Sequence, residues 1–323
     1  MIGTIANLNL WHNFIHSYTF KILHEAWILF LQLWPYIVIG ILITALVRIY
    51  LSKGSISHIL LKNSVLSIVF AALIGVVSPL GSYVIIPLSV SLLSVGVPLS
   101  VVMALVVSSP IINPNLFILT AGALGYEVAI ARVVSAFVLG LTAGYITHLL
   151  ANSKRIPAMA LANVNEAFQI NIQMKINTDD KPGSFQEFIK IFWKETVKMT
   201  LWISRFFLIA IVIAAAIKII TPPNLILKLF GKSEFISILI STAAGVPFYS
   251  CGGAAIPIVQ ELSDMGMSNG AVLAFFISGP VTKISNLVVL KSAYNNVILT
   301  IYLATGIVGA IILGLLYNFL LNI

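Results

Sequence analysis

Residues 75–110 read GVVSPLGSYVIIPLSVSLLSVGVPLSVVMALVVSSP, and residues 245–280 read GVPFYSCGGAAIPIVQELSDMGMSNGAVLAFFISGP. Set one above the other, 170 positions apart, they agree without a gap at the residues hardest to match by chance. Gly75 meets Gly245, Ile86 meets Ile256, Pro87 meets Pro257, Gly96 meets Gly266, Ser108 meets Ser278 and Pro110 meets Pro280. Leu, Ile, Val and Ala pair freely in an apolar chain, but 323 residues hold only 21 Gly and 13 Pro, so shared Gly and Pro carry weight. Working outward, Lys62 and Lys232, Ser67 and Ser237, and Glu25 and Glu195 keep the same offset. A repeat of this kind decides the architecture, so it is read first. The chain divides into two homologous halves, 1–150 and 185–323. They are joined by a polar linker, 151–184, that holds Lys154, Arg155, Asp179, Asp180, Pro182 and Gly183.

Both halves are written for lipid. Hydrophobic residues make up 59% of the chain and charged ones 9%, with a mean hydropathy of +1.06. A soluble domain is about 45–50% apolar and about 25% charged. Apolar stretches run over 26–47, 65–78, 83–107, 116–150, 201–220, 235–247, 254–279 and 297–321. A helix needs about 20 such residues to span a core of about 30 Å. Several stretches reach that length, while 65–78 and 235–247 fall short and stop at Gly/Pro/Ser clusters. No alternation in segments of about ten residues is present, which argues against a transmembrane β-barrel. The expected fold is an all-α integral membrane protein of two helical repeats with paired broken helices and eight to ten spans.

The net charge of +8 does not form a stripe. Arg48, Lys53, Lys62, Lys154, Arg155, Lys218, Lys228 and Lys232 lie at segment ends and loops, where bases set topology and meet anionic headgroups. A nucleic-acid partner is therefore not expected. The expected partners are the bilayer and a small-molecule or ion substrate, in a multi-pass inner or plasma membrane protein; self-association stays open. Lys21 is the one strong base in residues 1–25 and no signal-like apolar core follows it. Residues 11–27 read as an amphipathic helix on the membrane surface, and 185–200 as its counterpart. Arg132 and Glu127, at the start of a span, read as interfacial.

Each half carries two interruptions at matching positions. The first pair is Val77-Ser78-Pro79-Leu80-Gly81-Ser82-Tyr83 with Pro87, against Pro247-Phe248-Tyr249-Ser250-Cys251-Gly252-Gly253 with Pro257. The second pair is Ser108-Ser109-Pro110-Ile111-Ile112-Asn113-Pro114-Asn115, against Ser278-Gly279-Pro280-Val281-Thr282-Lys283-Ile284-Ser285-Asn286. Proline removes a donor and glycine eases departure from the helix. At membrane depth the freed groups are tolerated only against protein or a polar cavity. Transporters with duplicated halves hold substrate at such breaks. A pathway lined by Ser82, Pro87, Ser108, Pro110, Asn113, Asn115, Ser250, Cys251, Gly252, Gly253, Pro257, Ser278, Pro280, Thr282, Lys283 and Asn286 is therefore expected. Proline-kinked packing with no ligand is the alternative.

Lys283 stands where the first half has Asn113. A charge within a span costs at least about 2.5–3.5 kcal/mol, so it calls for a purpose or a partner. It either binds an anion or gates substrate, or it snorkels to the interface. Glu261 either pairs with a base or relays a proton in coupling, while Asp264-Met265-Gly266 reads as a helix end. One cysteine, Cys251, and scattered histidines imply no metal and no cofactor. No nucleophile–base pair or phosphate loop supports an enzyme, so transport leads, with a channel and a non-transporting scaffold as the other classes.

At these motifs the chain resembles the predicted-permease family that includes the bacterial organoarsenical (methylarsenite) efflux permeases. The likeness is carried by Ile86-Pro87-Leu88 through Gly96-Val97-Pro98, by Ala104 and Ser108 to Pro114, by Ser250 to Pro257, and by Gly270 to Pro280. It implies a polytopic inner-membrane permease, in several relatives an exporter of trivalent organoarsenicals. Arsenical-type members look cysteine-rich at the first interruption, where this chain has Leu80-Gly81-Ser82. Cys251 is then the one thiol left for a soft arsenical.

Overall fold

The computed structural model describes residues 18–50, 65–78, 85, 88–90, 92–93, 96–152, 185–220, 234–248 and 253–321. Among them the regular structure is helical. In chain order the helices are α1 (Tyr18–Tyr50), α2 (Val65–Val77), α3 (Leu99–Ser108), α4 (Pro114–Leu124), α5 (Tyr126–Asn152) and α6 (Phe185–Ile220). They continue with α7 (Glu234–Phe248), α8 (Ala255–Asp264), α9 (Asn269–Thr282), α10 (Ile284–Ala293) and α11 (Asn296–Leu321).

Among the described residues three segments, Tyr18–Leu42, Tyr126–Ala151 and Asn296–Leu320, are long and apolar enough to cross a membrane. The other apolar helical segments run 10–17 residues. At about 1.5 Å per residue none of those crosses a core of about 30 Å alone. Residues 185–200 form the first part of α6 and run without a break into its apolar part. The reason is local: no Gly or Pro stands between 185 and 220 to end the helix.

Helices α2 and α3 pack on α5, and α7 and α9 pack on α11. These two groups meet where α5 touches α9 and α11. Helix α1 runs along α6, α4 joins α1 to α5, and α8 rests on α6 and α4. Lipid-embedded helices gain little from expelling water from one another, so close packing over small residues takes its place. A side chain on Gly144 of α5 would run into Ile68, the Ser100 carbonyl and Ala104. One on Gly314 of α11 would run into Ile238, the Gly270 carbonyl and Ala274. The interior is correspondingly small and apolar, with Ala71, Ala72, Ala104, Ala136, Ala143, Ala271 and Ala274 fully buried.

The outward surface is apolar as well. Leu66, Phe70, Ile130, Leu149, Leu208, Ile209, Val308, Ile312 and Phe319 are exposed. Contiguous faces of this kind are a liability in water and the ordinary state in lipid. Among the described residues three glycines close helical segments at positive φ, Gly96 at +91°, Gly125 at +90° and Gly266 at +103°. At Gly266 the amide bonds back to Ser263 and that of Met267 to Leu262, at 2.9 and 3.0 Å. This helix stop satisfies the last carbonyls of α8 and bears out the reading of Asp264-Met265-Gly266 as a helix end.

Candidate functional site

Helix α3 ends at Ser108, whose hydroxyl donates to the Ala104 carbonyl at 2.8 Å. Residues 109–113 leave the helix and α4 begins at Pro114. Pro110 and Pro114 lie four apart, so the second also lacks the N–H that would bond the first one's carbonyl. Asn113 is extended at φ −151°, and its side chain accepts the Leu116 amide at 2.9 Å. That N-cap restarts the helix in the direction of α4. Asn115 lies against Gly40 of α1, where any side chain would collide with it.

The unwound segment leaves the Ile111 carbonyl for another donor, and Arg132 of α5 supplies it. Arg132 is fully buried, not interfacial as expected from its place near the start of a span. Its Nη2 donates to the Ile111 carbonyl at 2.9 Å and its Nη1 to Thr120 Oγ1 at 2.5 Å. Thr120 passes the chain on by donating to the Leu116 carbonyl at 2.6 Å. The guanidinium carbon also sits 4.1 Å from the centroid of the Phe276 ring on α9. Such a cation–π contact reaches about 2 kcal/mol or more when desolvated. Helix packing brings Arg132 inward because α5 is enclosed by α3, α4 and α9 along this face. Sequence reading missed Arg132, Thr120 and Phe276. The usable signal was the cost of a charge inside an apolar stretch, which demands polar company.

The matching stretch of the second half differs. An interruption over 278–286 was expected, but α9 runs through Ser278, Gly279 and Pro280 to Thr282, and Lys283 is the one residue between α9 and α10. A lone proline removes one bond, and side chains replace what is lost at the helix end. Thr282 Oγ1 donates to the Ser278 carbonyl at 2.8 Å, and Asn286 Nδ2 to the Pro280 carbonyl at 3.1 Å. Lys283 is half-buried with φ −56° and ψ 118°. Its carbonyl accepts the amides of Asn286 and Leu287 at 2.9 and 3.1 Å. Ser278 lies against Gly245 of α7, as Ser108 lies against Gly75 of α2.

Three buried polar atoms in these stretches make no hydrogen bond: Ser109 Oγ, Asn115 Oδ1 and Asn286 Oδ1. Ser82, Pro87, Ser250, Cys251 and Gly252 lie outside the described residues. Gly253 is buried and 3.6 Å from Leu119 of α4, measured from where its Cβ would stand. Pro257 is buried in the first turn of α8, where proline is tolerated. The head of α8 is thus brought against α4. On the far side of α8, Glu261 is 2% exposed and faces Lys218 of α6. Ser89 and Tyr294 join their hydroxyls at 2.5 Å, tying the segment after the first interruption to the end of α10. Among the described residues no group of three His, Cys, Asp or Glu gathers as for a metal.

The model of the family described as "Predicted permease" matches residues 21–319. The chain belongs to that family. It is a helical membrane protein of the predicted permease family, and the match runs from the first turn of α1 to the last turn of α11. It is 24% identical over 136 residues to the UPF0718 protein MJ0584 of Methanocaldococcus jannaschii, covering 42% of this chain and 37% of that protein. It is 30% identical over 89 residues to the UPF0718 protein YcgR of Bacillus subtilis, covering 28% and 29%. The aligned stretches thus span about a third of the curated relatives' length. No solved structure matches the chain.

Proposed function

We propose that this predicted permease exports a small solute, driven by a gradient, through a site between two homologous halves. The observation that carries the reading is Arg132. A buried guanidinium holds a freed carbonyl of the first half and lies on an aromatic ring of the second. In the segment after α3, at the head of α4 and in α10, Ser109, Asn115 and Asn286 keep unpaired buried polar atoms. Leaving such a group unpaired costs about 1–3 kcal/mol, which a bundle built for stability alone has no reason to bear.

The duplication is supported by the helices themselves. Helices α3, α4 and α5 begin at Leu99, Pro114 and Tyr126, and α9, α10 and α11 begin at Asn269, Ile284 and Asn296, each 170 residues on. The contacts keep the same offset: Gly144 meets Ile68, Ser100 and Ala104, and Gly314 meets Ile238, Gly270 and Ala274. Leu139 packs on Gly309, its own counterpart, which suits a pseudo-twofold axis between α5 and α11. Substrate near such an axis is the usual arrangement in duplicated transporters. On this reading the protein is multi-pass in the cell membrane, and the pathway runs from the residues around Pro87 and Pro257 to Asn113, Asn115, Lys283 and Asn286.

Two solute classes fit the residues: a small anion drawn by Lys283, or a trivalent organoarsenical with Cys251 as a single, non-chelating thiol. Flux of methylarsenite, inorganic phosphate and small neutral organic solutes into and out of reconstituted vesicles separates them. Saturable, gradient-dependent flux of one class is the expected result. Unsaturable, conductance-like flux would instead indicate a pore, and no flux of any class would sink the reading. Lys283→Asn should lower anion flux at least about tenfold, an opposite-charge effect on the scale of a lost ion pair. An unchanged rate and half-saturation in a folded Lys283→Asn protein would discard the anion.

A further inference from the structure

The permease reading names a gradient but not the coupling ion, and the charged cluster around Lys218 bears on it. Lys218 lies near the end of α6. Its Nζ is 3.0 Å from Glu25 Oε2 on α1, a hydrogen-bonded ion pair. The same Nζ is 3.8 Å from Glu261 Oε1 on α8, within ion-pair range but beyond a hydrogen bond. The three groups differ sharply in setting: the side chains of Lys218 and Glu25 are 45% and 27% exposed, that of Glu261 2%. One ammonium is thus shared between a half-buried carboxylate from the first half and a fully buried one from the second.

A buried carboxylate has two acceptable states, charged beside a cation or neutral with a proton. Lys218 decides which holds. It is a long, rotatable ammonium with three donors, able to lean toward either carboxylate as α1, α6 and α8 shift. Among the described residues the remaining charge near Glu261 is Asp264, one turn further along α8 and exposed. Helices α4 and α9, which also pack on α8, carry no charged residue.

We propose that Glu261 is the proton-binding site of this permease, with Lys218 as the intramolecular cation that competes with the proton. When Lys218 turns fully to Glu25, Glu261 takes a proton from water and becomes neutral; Lys218 stays an ammonium throughout. When Lys218 turns to Glu261, that proton returns to water. Since Glu25 belongs to the first half and Glu261 to the second, proton binding is tied to the relative position of α1 and α8. This rests on the permease reading for its meaning, but its chemistry is independent of any solute.

Infrared difference spectroscopy of the whole protein in lipid, titrated with pH, tests it without a substrate. A protonated-carboxyl band should grow as pH falls and be absent in Glu261→Gln. Lys218→Met should raise the proton affinity behind that band by about tenfold or more, because the competing cation is gone. Glu25→Gln should lower it, because Lys218 then turns to Glu261. Opposite signs from two neighbours are not expected of a network that is merely structural. A band untouched by Glu261→Gln overturns the proposal, as do shifts of one sign in the other two variants. Should Glu261→Gln fail to fold, the pair Lys218→Met and Glu25→Gln still decides. Absence of solute flux in vesicles would strike the permease reading and leave the infrared result standing.

Discussion

The same Ser-x-Pro pattern stands at the end of α3 and within the last turn of α9, and the two stretches fold differently. After Ser108 the chain unwinds for five residues; after Ser278 it stays helical through Pro280 and yields only at Lys283. The first has prolines at 110 and 114, four apart, so a donor is missing where the first carbonyl needs one. The second has Ile284 in place of Pro114 and keeps that N–H. The first also has an arginine to receive a released carbonyl, where the position 170 residues on is the buried Tyr302. A matching motif therefore locates an interruption, and the local count of donors sets how far it opens.

The contrast breaks most readily at Arg132. Arg132→Ala should lower the thermal stability of the purified protein by about 3 kcal/mol or more, from an orphaned Ile111 carbonyl, a lost ring contact and a cavity. Arg132→Lys should recover only part, since a point ammonium does not span Ile111 and Thr120 together. A loss below about 1 kcal/mol for Arg132→Ala would mean that the unwound segment holds itself. Next come the glycines on which the two halves are alike: Gly144→Ala and Gly314→Ala should each cost about 1–3 kcal/mol through backbone overlap. Unfolding measurements giving one large loss and one negligible loss would break the likeness. Smallest is Asn113→Ala, which removes the cap of α4 and should cost about 1 kcal/mol. No change there would assign the restart of α4 to Pro114 alone.

Much of the fold was legible because lipid imposes simple accounting. Few charges over long apolar stretches mean membrane helices, and Gly and Pro stand out against an apolar background. The helix stop at Gly266 and the non-helical stretch at 109–113 fall at the Gly and Pro positions, whereas α9 runs on through Pro280. Less legible was anything that depends on two distant helices meeting. Arg132 looked interfacial because its distance from the end of an apolar stretch is visible in sequence, while the helices around it are not. Glu261 was singled out with no partner in view, since Lys218 stands 43 positions before it on another helix and leans chiefly on Glu25, 193 positions away.

By itself, then, the sequence determined the solvent, the helical class and the helix stop at Gly266. Those follow from transfer free energies and backbone donors, which are properties of residues and near neighbours. Tertiary structure alone decided that Arg132 is buried against Ile111 and Phe276 and that Lys218 stands between Glu25 and Glu261. Each of these turns on which polar group finds a partner across a helix interface, and a partner is a matter of position in space, not of order along the chain.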